Sequence, residues 1–289
     1  MLSLIVNPSA GGGLASRTLE GVRTTLAEYG LEHHVEPTDN LEHARELAHR
    51  AASARETAVA FGGDGLVGAV AGALKGSDAV LGVLPGGRGN DFARVLGIPL
   101  EPRAACAVLA SGAVRELDIG EVAGKTFIGI ASCGFDSEAN RIANETRLVR
   151  GNLVYAYGAL RALVRWHPAS FNVTLDGGEV HTVVGYTIAV ANSKAYGGGM
   201  MMAPDASLQD GLLDVILVGH APKRRFLRLL PTVFKGEHVR QPNVQVLRAR
   251  KVEVAADRSF TMYADGDPIA ELPVTVRALP AAVRVLVPR

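Results

Sequence analysis

The sequence predicts an α/β fold in two parts: a parallel-sheet domain over residues 1–115 and a mainly antiparallel β-sandwich domain over residues 116–280. Near-continuous apolar runs alternate with segments of helical apolar spacing in the first part, which is typical of a helix-covered parallel sheet. After about residue 114, short β-type runs are separated by turn signals such as Asp176-Gly177-Gly178. The C-terminal strand, at about 281–289, is expected to return to the first domain.

The first domain is predicted to alternate strands and helices along the chain. The strands are predicted at 2–6, 32–36, 58–61 and 79–84, and the helices at 15–29, 40–54, 66–74, 92–96 and 103–109. The helix at 15–29 has Leu19, Val22 and Leu26 on one face, and Gly30 ends it as a C-cap residue would.

The second domain is predicted from shorter apolar runs. They predict strands at 114–120, 125–131, 170–175, 180–191, 213–218, 244–255, 260–264, 274–279 and 283–287. Two helices, at 141–166 and 222–235, are predicted to interrupt them.

Composition excludes several classes of function. The net charge is +1 and only 5% of the residues are aromatic, which disfavours nucleic-acid binding. The two cysteines, Cys106 and Cys133, lie in apolar segments and are expected to be buried thiols in a reducing cytosol. The chain starts directly with a strand and has no apolar run of about 18 residues, so we expect a cytoplasmic protein with no secretory signal and no transmembrane segment.

Two glycine-rich turns, each carrying an aspartate, follow two of the predicted parallel strands. The first is Gly-Gly-Asp-Gly at 62–65, and the second is Pro-Gly-Gly-Arg-Gly-Asn-Asp at 85–91. Bare backbone lets N–H groups close on an anion, but Asp64 and Asp91 would repel a phosphate unless a cation lay between them. Both turns lie at the carboxyl ends of strands, where ligands bind in such sheets. They predict a site for Mg-ATP.

Other interpretations of these turns are open. Residues 63–68 match G-x-G-x-x-G, so a dinucleotide turn is an alternative, with Arg88 serving the 2′-phosphate of NADP. Against it, the next strand ends in Pro-Gly-Gly and lacks the ribose-binding acid. No Gly-Lys-Ser or Gly-Lys-Thr occurs, so there is no P-loop. Each turn alone is also compatible with a tight strand-to-helix connection without a ligand.

Five motifs in order resemble one known family. They are Asn7-Pro8 with the glycines at 11–13, Gly-Gly-Asp-Gly at 62–65, Gly-Asn-Asp-Phe-Ala at 89–93, Asp-Gly-Leu-Leu-Asp at 210–214 and Asp-Gly-Asp at 265–267. Their order and spacing resemble the diacylglycerol kinase catalytic-domain family, which includes bacterial soluble diacylglycerol kinases and the sphingosine and ceramide kinases. The resemblance implies a two-domain, ATP-dependent lipid kinase that requires Mg²⁺, with diacylglycerol as the default acceptor.

The resemblance also implies where the site lies. It places the nucleotide in the cleft between the domains, on Asn7, Gly12, Thr38, Gly62, Gly63, Asp64, Gly65, Leu66, Val67, Gly68, Arg88, Asn90 and Asp91. It implies a structural Mg²⁺ held by Asp210 and the backbones of Ser207 and Leu212, with Asp205 and Asp214 flanking it. The catalytic carboxylates are expected to be Asp64, Asp265 and Asp267, with Asp267 as the general base.

Four positions depart from the usual family residues. Leu66 and Arg88 replace threonines, Gly68 replaces an asparagine, and Asp267 replaces a glutamate whose side chain is one methylene longer. These changes leave open a second function, a nucleotide- or lipid-binding regulator without catalysis. A third is a kinase of a soluble acceptor such as NAD, because NAD kinase and 6-phosphofructokinase share the Gly-Gly-Asp-Gly turn.

Contact with a lipid substrate at the inner face of the membrane is expected to be peripheral. The glycine loop at 196–199 with the methionines at 200–202 could border a lipid pocket, although core filling is the alternative. Basic residues near apolar ones suit an anionic lipid surface, and a solvated helix face is the alternative. These are Arg147, Arg150, Arg161 and Arg165 with Trp166, and the segment 223–228. The sequence does not fix the oligomeric state, and a homodimer is left open.

Overall fold

The computed structural model describes residues 1–146 and 153–289. Its first part alternates strands and helices, as predicted. The elements are β1 (Leu2–Val6), α1 (Ala10–Glu28), β2 (His33–Pro37), α2 (Leu41–Ser53), β3 (Thr57–Gly62), α3 (Asp64–Ala73), β4 (Val80–Pro85), α4 (Asp91–Val95) and α5 (Pro102–Ser111). Gly11, Gly12 and Gly13 have left-handed backbone angles, so the regular part of α1 begins only after them.

The second part is dominated by strands. Its elements are β5 (Ala113–Val122), β6 (Lys125–Phe127), β7 (Ile130–Gly134), α6 (Phe135–Glu145), α7 (Leu153–Arg165), β8 (Ala169–Leu175), β9 (Val180–Ala191), β10 (Leu213–Gly219), α8 (Lys223–Leu229), β11 (Val244–Ala249), β12 (Lys251–Ala256), β13 (Thr261–Ala264), β14 (Asp267–Glu271) and β15 (Val274–Val287). Two 3-10 segments, Leu230–Lys235 and Glu237–Arg240, follow α8.

The strands confirm the predicted fold class. β2, β1, β3 and β4 pair in parallel in that order, and their apolar side chains form one core. The remaining strands pair antiparallel around β9 and β15, and a second core lies among β7, β8, β9, β10 and β12. β15 runs along both parts, because it also pairs in parallel with β4 through Arg284 and Val285.

Two predicted strands are split, each where a carboxylate binds the backbone. The strand predicted at 125–131 becomes β6 and β7, because the N–H groups of Ile128 and Gly129 donate to Asp265 instead of to a neighbouring strand. The strand predicted at 244–255 becomes β11 and β12, because the N–H groups at positions 250 and 251 donate to Asp176. A side chain distant in sequence ends the ladder in each case.

Other boundaries also differ from the predictions. The strands predicted at 274–279 and 283–287 form the single strand β15 with an irregularity between them, and β14, which contains Pro268, was not predicted. The helix predicted at 141–166 is two helices, α6 and α7, and Arg147 and Arg150 lie outside the described residues. The helix predicted at 222–235 leaves α-geometry at Leu229, since Pro231 has no N–H to donate.

Within the part of the chain that the model describes, no helix combines the length and the apolar character needed to cross a membrane.

Candidate active site

Three glycine turns meet at the carboxyl ends of β1, β3 and β4. The N–H of Gly86 donates to the carbonyl of Gly62 at 2.7 Å. A methyl group placed on Gly87 would lie 2.4 Å from Cα of Gly63, and one on Gly11 would lie 2.4 Å from the carbonyl oxygen of Gly86. Side chains at these positions would therefore hold the turns apart, so glycine is required by packing.

The Gly-Gly-Asp-Gly turn at 62–65 opens α3, and the N-terminus of this helix points to the space in front of the turns. Gly63 is the N-cap and its carbonyl accepts the N–H groups of Leu66 and Val67 at 3.0 and 3.1 Å, so the N–H groups of Asp64 and Gly65 have no partner inside the helix. The helix dipole and these N–H groups together favour an anion. A methyl group on Gly65 would meet no atom within 4 Å, so this side of the turn is open.

The other predicted nucleotide residues mostly brace their own loops. Oδ1 of Asn7 accepts from the N–H and the hydroxyl of Ser9 at 3.1 and 2.9 Å. The carbonyl of Gly12 accepts from the guanidinium of Arg17 at 2.8 Å, and Oγ1 of buried Thr38 donates to the carbonyl of Asn40 at 2.6 Å. These contacts fix the rim of the crevice, and direct contacts to a nucleotide remain a prediction.

Asn90 shapes the turn between β4 and α4. Its left-handed backbone (φ 52°) reverses the chain, and its side-chain amide exchanges two hydrogen bonds with the backbone of Gly87 at 2.9 and 3.1 Å. The turn is thereby closed by its own side chain. This brings Asp91, at the start of α4, beside Asp64.

Asp64 and Asp91 form a carboxylate pair. Oδ1 of Asp64 accepts from the N–H of Phe92 at 3.0 Å, and Oδ2 of Asp91 accepts from the N–H of Gly198 in the second domain at 2.8 Å. A methyl group on Gly89 would lie 3.1 Å from Oδ2 of each aspartate, so the two oxygens are at most about 6 Å apart.

The environment of Asp91 fits a hard cation. It is 7% exposed, and its Oδ1 is buried without a hydrogen-bond partner among the described residues. Burial raises the pKa of Asp91, the Gly198 hydrogen bond opposes this, and the charge of Asp64 raises it further. An unpartnered carboxylate oxygen beside a second carboxylate is a donor set that a divalent cation would complete.

Asp265 projects into the same crevice from the second domain. With Gly266 it forms a two-residue hairpin turn between β13 and β14, with φ values of 50° and 93°. Its carboxylate accepts the N–H groups of residues 128, 129 and 130 at 2.8, 2.9 and 3.2 Å. A methyl group on Gly68 would lie 3.6 Å from Oδ2 of Asp265, which places this carboxylate against α3.

The pKa of Asp265 is strongly perturbed. Burial raises it from 3.8 to about 7, the charge of Asp64 contributes in the same direction, and the three backbone N–H groups oppose the shift. Asp267, the predicted base, begins β14 on the other side of the turn. It is exposed and makes no hydrogen bond or ion pair with the described residues. The carboxylate packed beside α3 is therefore that of Asp265, and the role of Asp267 stays a prediction.

Among the predicted contact residues, two have buried apolar side chains and one has an exposed, charged side chain. Leu66 and Val67 are each 2% exposed and pack into the core, so that only their backbone could contact a nucleotide. Both side chains lie on the inward face of α3, and a contact of these two residues with a nucleotide stays a prediction for their backbone. Arg88 is exposed and has no hydrogen-bond or ionic partner in the described ranges, so its guanidinium is free for a ligand.

The loop predicted to hold a structural Mg²⁺ is organised by a residue that sequence reasoning missed. Buried Asp118 accepts the N–H groups of Gly211 and Ala281 at 2.7 and 2.8 Å and so ties the loop to β15. Oδ1 of exposed Asp210 accepts from the N–H of Leu212 at 3.0 Å, and Oγ of Ser207 accepts from a backbone N–H at 3.2 Å. The Mg²⁺ prediction is compatible with this loop and stays a prediction.

The guanidinium of Arg248 balances part of the negative charge beside the Asp210 loop. Asp214 is buried and pairs with Arg248 at 3.1 Å, and the guanidinium also donates to the carbonyl of Asp205 at 3.2 Å. Asp214 is thus committed to an ion pair. No group of three His, Cys, Asp or Glu side chains with metal-binding geometry occurs in ranges 1–146 and 153–289.

A hydroxyl–carboxylate network, also missed from the sequence, anchors the glycine loop that reaches Asp91. The hydroxyl of Tyr196 donates to Oδ1 of Asp136 at 2.9 Å, and that of Ser132 donates to Oδ2 at 2.7 Å. The backbones of Tyr196 and Met200 pair across the loop at 3.0 and 3.1 Å. The three consecutive glycines at 197–199, all with positive φ, were the sequence signal for a special backbone here.

Comparisons with known proteins match both parts of the chain. The family model of the diacylglycerol kinase catalytic domain matches residues 1–122, and that of the YegS C-terminal NAD kinase beta sandwich-like domain matches residues 129–287. A diacylglycerol kinase of Mycobacterium tuberculosis is 36% identical over 296 residues, covering 100% of this chain and 95% of that protein. A probable YegS-like lipid kinase of Pseudomonas aeruginosa is 33% identical over 276 residues, covering 93% and 90%.

Solved structures show the same fold. A diacylglycerol kinase structure from Bacillus anthracis superposes with a TM-score of 0.76 at 21% identity, covering 99% of this chain and 96% of that one. An NAD kinase of Archaeoglobus fulgidus in complex with ATP superposes with a TM-score of 0.55 at 16% identity, covering 99% and 93%.

Proposed function

The chain belongs to the diacylglycerol kinase catalytic-domain family, and from that premise we propose that it transfers the γ-phosphate of ATP to the hydroxyl of diacylglycerol. The observation that carries the proposal is the convergence of glycine turns from the first domain with carboxylates from both domains in one crevice. Open backbone N–H groups can donate hydrogen bonds to phosphates, and carboxylates can coordinate a metal ion and accept a proton.

The backbone of the two aspartate-bearing turns receives the triphosphate. The N–H groups of residues 63–65 lie at the N-terminus of α3, and a methyl group on Gly65 would enter the open side of this turn. Arg88 lies on the neighbouring turn with its guanidinium free, and it replaces a hydroxyl contact with a charge-assisted one. Positioning and electrostatics of this kind supply most of the rate in phosphoryl transfer.

Asp64 and Asp91 hold the catalytic metal ion. When bound there, Mg²⁺ would supply positive charge that neutralises the phosphate oxygens. The N–H groups of Phe92 and Gly198 fix the two carboxylates before a ligand arrives. Since Gly198 belongs to the second domain, this pair also couples the two domains. Asp210 with the backbones of Ser207 and Leu212 is proposed as a separate structural Mg²⁺ site.

Asp267 accepts the proton of the lipid hydroxyl. Its carboxylate is exposed and free of partners in the described residues, so it can contact an acceptor. Asp265 binds three backbone N–H groups and therefore holds the turn that presents Asp267. A free carboxylate suits proton transfer, and a fully bound one suits anchoring.

A regulator without catalysis is the second candidate, and the burial of Leu66 favours it. The family threonine at this position offers a hydroxyl, whereas the side chain of Leu66 packs in the core. Phosphorylation of a soluble acceptor such as NAD has only the fold-level likeness to NAD kinase in its favour.

We propose that the protein acts at the inner face of the membrane as a peripheral enzyme. Diacylglycerol resides in the bilayer, while the ATP crevice is open to water, so the chain must approach the surface without crossing it. A homodimer is compatible with this proposal and is not required by it.

Incubation with labelled ATP and a panel of acceptors tests the proposal. We expect label in diacylglycerol and none in NAD. Asp64→Asn and Asp267→Asn should each reduce the rate at least a hundredfold, with wild-type unfolding curves, while Asp39→Asn on the exposed surface serves as a control. ATP binding without transfer to any acceptor would favour the regulator, and transfer to NAD alone would refute the lipid assignment.

A further inference from the structure

We infer that the outer faces of α7 and α8, together with the 3-10 segment Leu230–Lys235 that continues α8, form one docking surface for an anionic lipid bilayer, and this inference rests on the proposed lipid-kinase function. We call this surface the α7–α8 face. Its apolar members are Leu160, Val164, Leu227 and Phe234. Its basic members are Arg161, Arg165, Lys223, Arg224, Arg225, Arg228 and Lys235.

The apolar members are unusually exposed. Val164 is 71% exposed, Phe234 56%, Leu160 54% and Leu227 47%. Leu160 and Val164 are four residues apart on α7, so they share one stripe of that helix. An exposed stripe of large apolar side chains beside basic ones is typical of an interfacial helix.

The two helices present their exposed stripes on the same side. The ammonium of Lys223, in the first turn of α8, donates to the carbonyl of Val164 at 2.9 Å. Lys223 and Leu227 are again four residues apart, so Leu227 continues the surface that Val164 begins. Phe226 lies on the inner side of α8 and stacks on Tyr186, with the two ring centroids 4.0 Å apart. The same buried cluster contains the inward-facing side chains of α7. One buried cluster thus supports both outer faces.

The charge of the α7–α8 face selects its partner. Residues 153–165 and 223–235 contain the seven cations named above and no aspartate or glutamate. Because the whole chain carries +1, the remainder carries a net charge of −6. Such a separation of charge favours an anionic surface and disfavours a second copy, since a symmetric dimer through this face would oppose cation to cation.

The mode of contact follows from the side chains. The apolar members enter the boundary between headgroups and acyl chains, and the arginines and lysines contact the lipid phosphates. Each cation near an anionic bilayer contributes roughly a fivefold increase in partition coefficient at physiological ionic strength. The attraction falls as salt screens it, whereas the contribution of the apolar members remains.

Vesicle flotation of the full chain without ATP tests the inference. We expect binding to phosphatidylcholine vesicles that contain phosphatidylglycerol and little binding to phosphatidylcholine alone. Arg224→Gln with Arg228→Gln should lower the partition coefficient about twentyfold, and Leu227→Ser with Val164→Ser should lower it at high salt as well. The matched control is Arg115→Gln with Lys125→Gln, two exposed cations outside the face, which should bind as the wild type does.

Kinase assays separate this inference from the proposed function. The arginine variant should lose activity on diacylglycerol in vesicles and keep it on a short-chain diacylglycerol dispersed in water. Equal binding of that variant and the control pair, equal binding to neutral vesicles, or dimerisation through the face in sedimentation would overturn the inference. Vesicle binding by a chain that phosphorylates no acceptor would support the face and refute the proposed function.

Discussion

Replacement of Asp265 by asparagine should change how the stability of the protein depends on pH. Burial and the charge of Asp64 raise the pKa of Asp265 to about 7 from the ordinary 3.8. Between these values the native state binds a proton that the unfolded chain releases. The contribution of Asp265 to stability is therefore present below about pH 4 and is lost as the pH rises through about 7.

The magnitude follows from the size of the shift. A difference of about three pKa units corresponds to about 4 kcal/mol of free energy of unfolding. Asp265 as a whole residue is half-buried, and solvent screening reduces the effect, so we expect about 2 to 4 kcal/mol. Asparagine carries no charge at any pH, and it abolishes this dependence. Relative to the wild type, Asp265→Asn should therefore become more stable by this amount between about pH 4 and about pH 8.

Urea unfolding of the protein free of metal and nucleotide, followed by the fluorescence of Trp166, measures this difference. The control is Glu28→Gln, an exposed α1 side chain without an ionic partner among the described residues, whose difference from the wild type should not change over this range. If the stability difference between Asp265→Asn and the wild type stays constant within about 0.5 kcal/mol, the carboxylate of Asp265 is not desolvated and the reasoning is refuted.

Four further variants probe the turns and the loop that meets them. Gly65→Ala should leave the free energy of unfolding unchanged within about 1 kcal/mol. It should raise KM for ATP at least tenfold, because its methyl group enters the open side of the turn. By contrast, Gly87→Ala should lower the free energy of unfolding in urea by about 3 kcal/mol or more, because its methyl group would lie 2.4 Å from Gly63 Cα. If Gly65→Ala has the KM of the wild type, the phosphates do not bind at this turn. Arg88→Ala should raise KM for ATP about fivefold to tenfold at low salt without changing kcat, and an unchanged KM would show that the guanidinium does not reach the nucleotide. Tyr196→Phe removes the 2.9 Å hydrogen bond to Asp136. It should lower the free energy of unfolding by about 1 to 3 kcal/mol and change kcat more than KM. Wild-type kinetics in this variant would show that the reaction does not depend on this anchor of the loop.

Local patterns predicted the first domain well because its strands and helices carry their own signals. Apolar runs, helical spacing and the glycine turns are all short-range features, and the structure places these elements where the patterns do. The second domain was predicted less well because long-range contacts set its boundaries. The split between β6 and β7 depends on Asp265, more than 130 residues away, and no local pattern reports such a partner.

In the candidate site, too, local patterns predicted some residues, and long-range contacts determine others. The sequence predicted Asp64, Asp91 and the glycine turns, since residue type alone indicates their chemistry. It did not predict that Gly198 would bind Asp91, that Asp118 would tie the Asp210 loop to β15, or that Tyr196 would bind Asp136. It also did not predict that the side chain of Leu66 would face the core, which leaves the backbone of Leu66 for the predicted nucleotide contact. Each of these depends on how the two domains meet or on which face of a helix is buried.

A crystal structure with Mg²⁺ and a non-hydrolysable ATP analogue tests the central claim most directly. We predict the β- and γ-phosphates within hydrogen-bond distance of the backbone N–H groups at 63–65, and a metal ion bridging Asp64 and Asp91. A nucleotide bound elsewhere, or an ordered nucleotide at these turns with no metal ion on either aspartate, would contradict the claim.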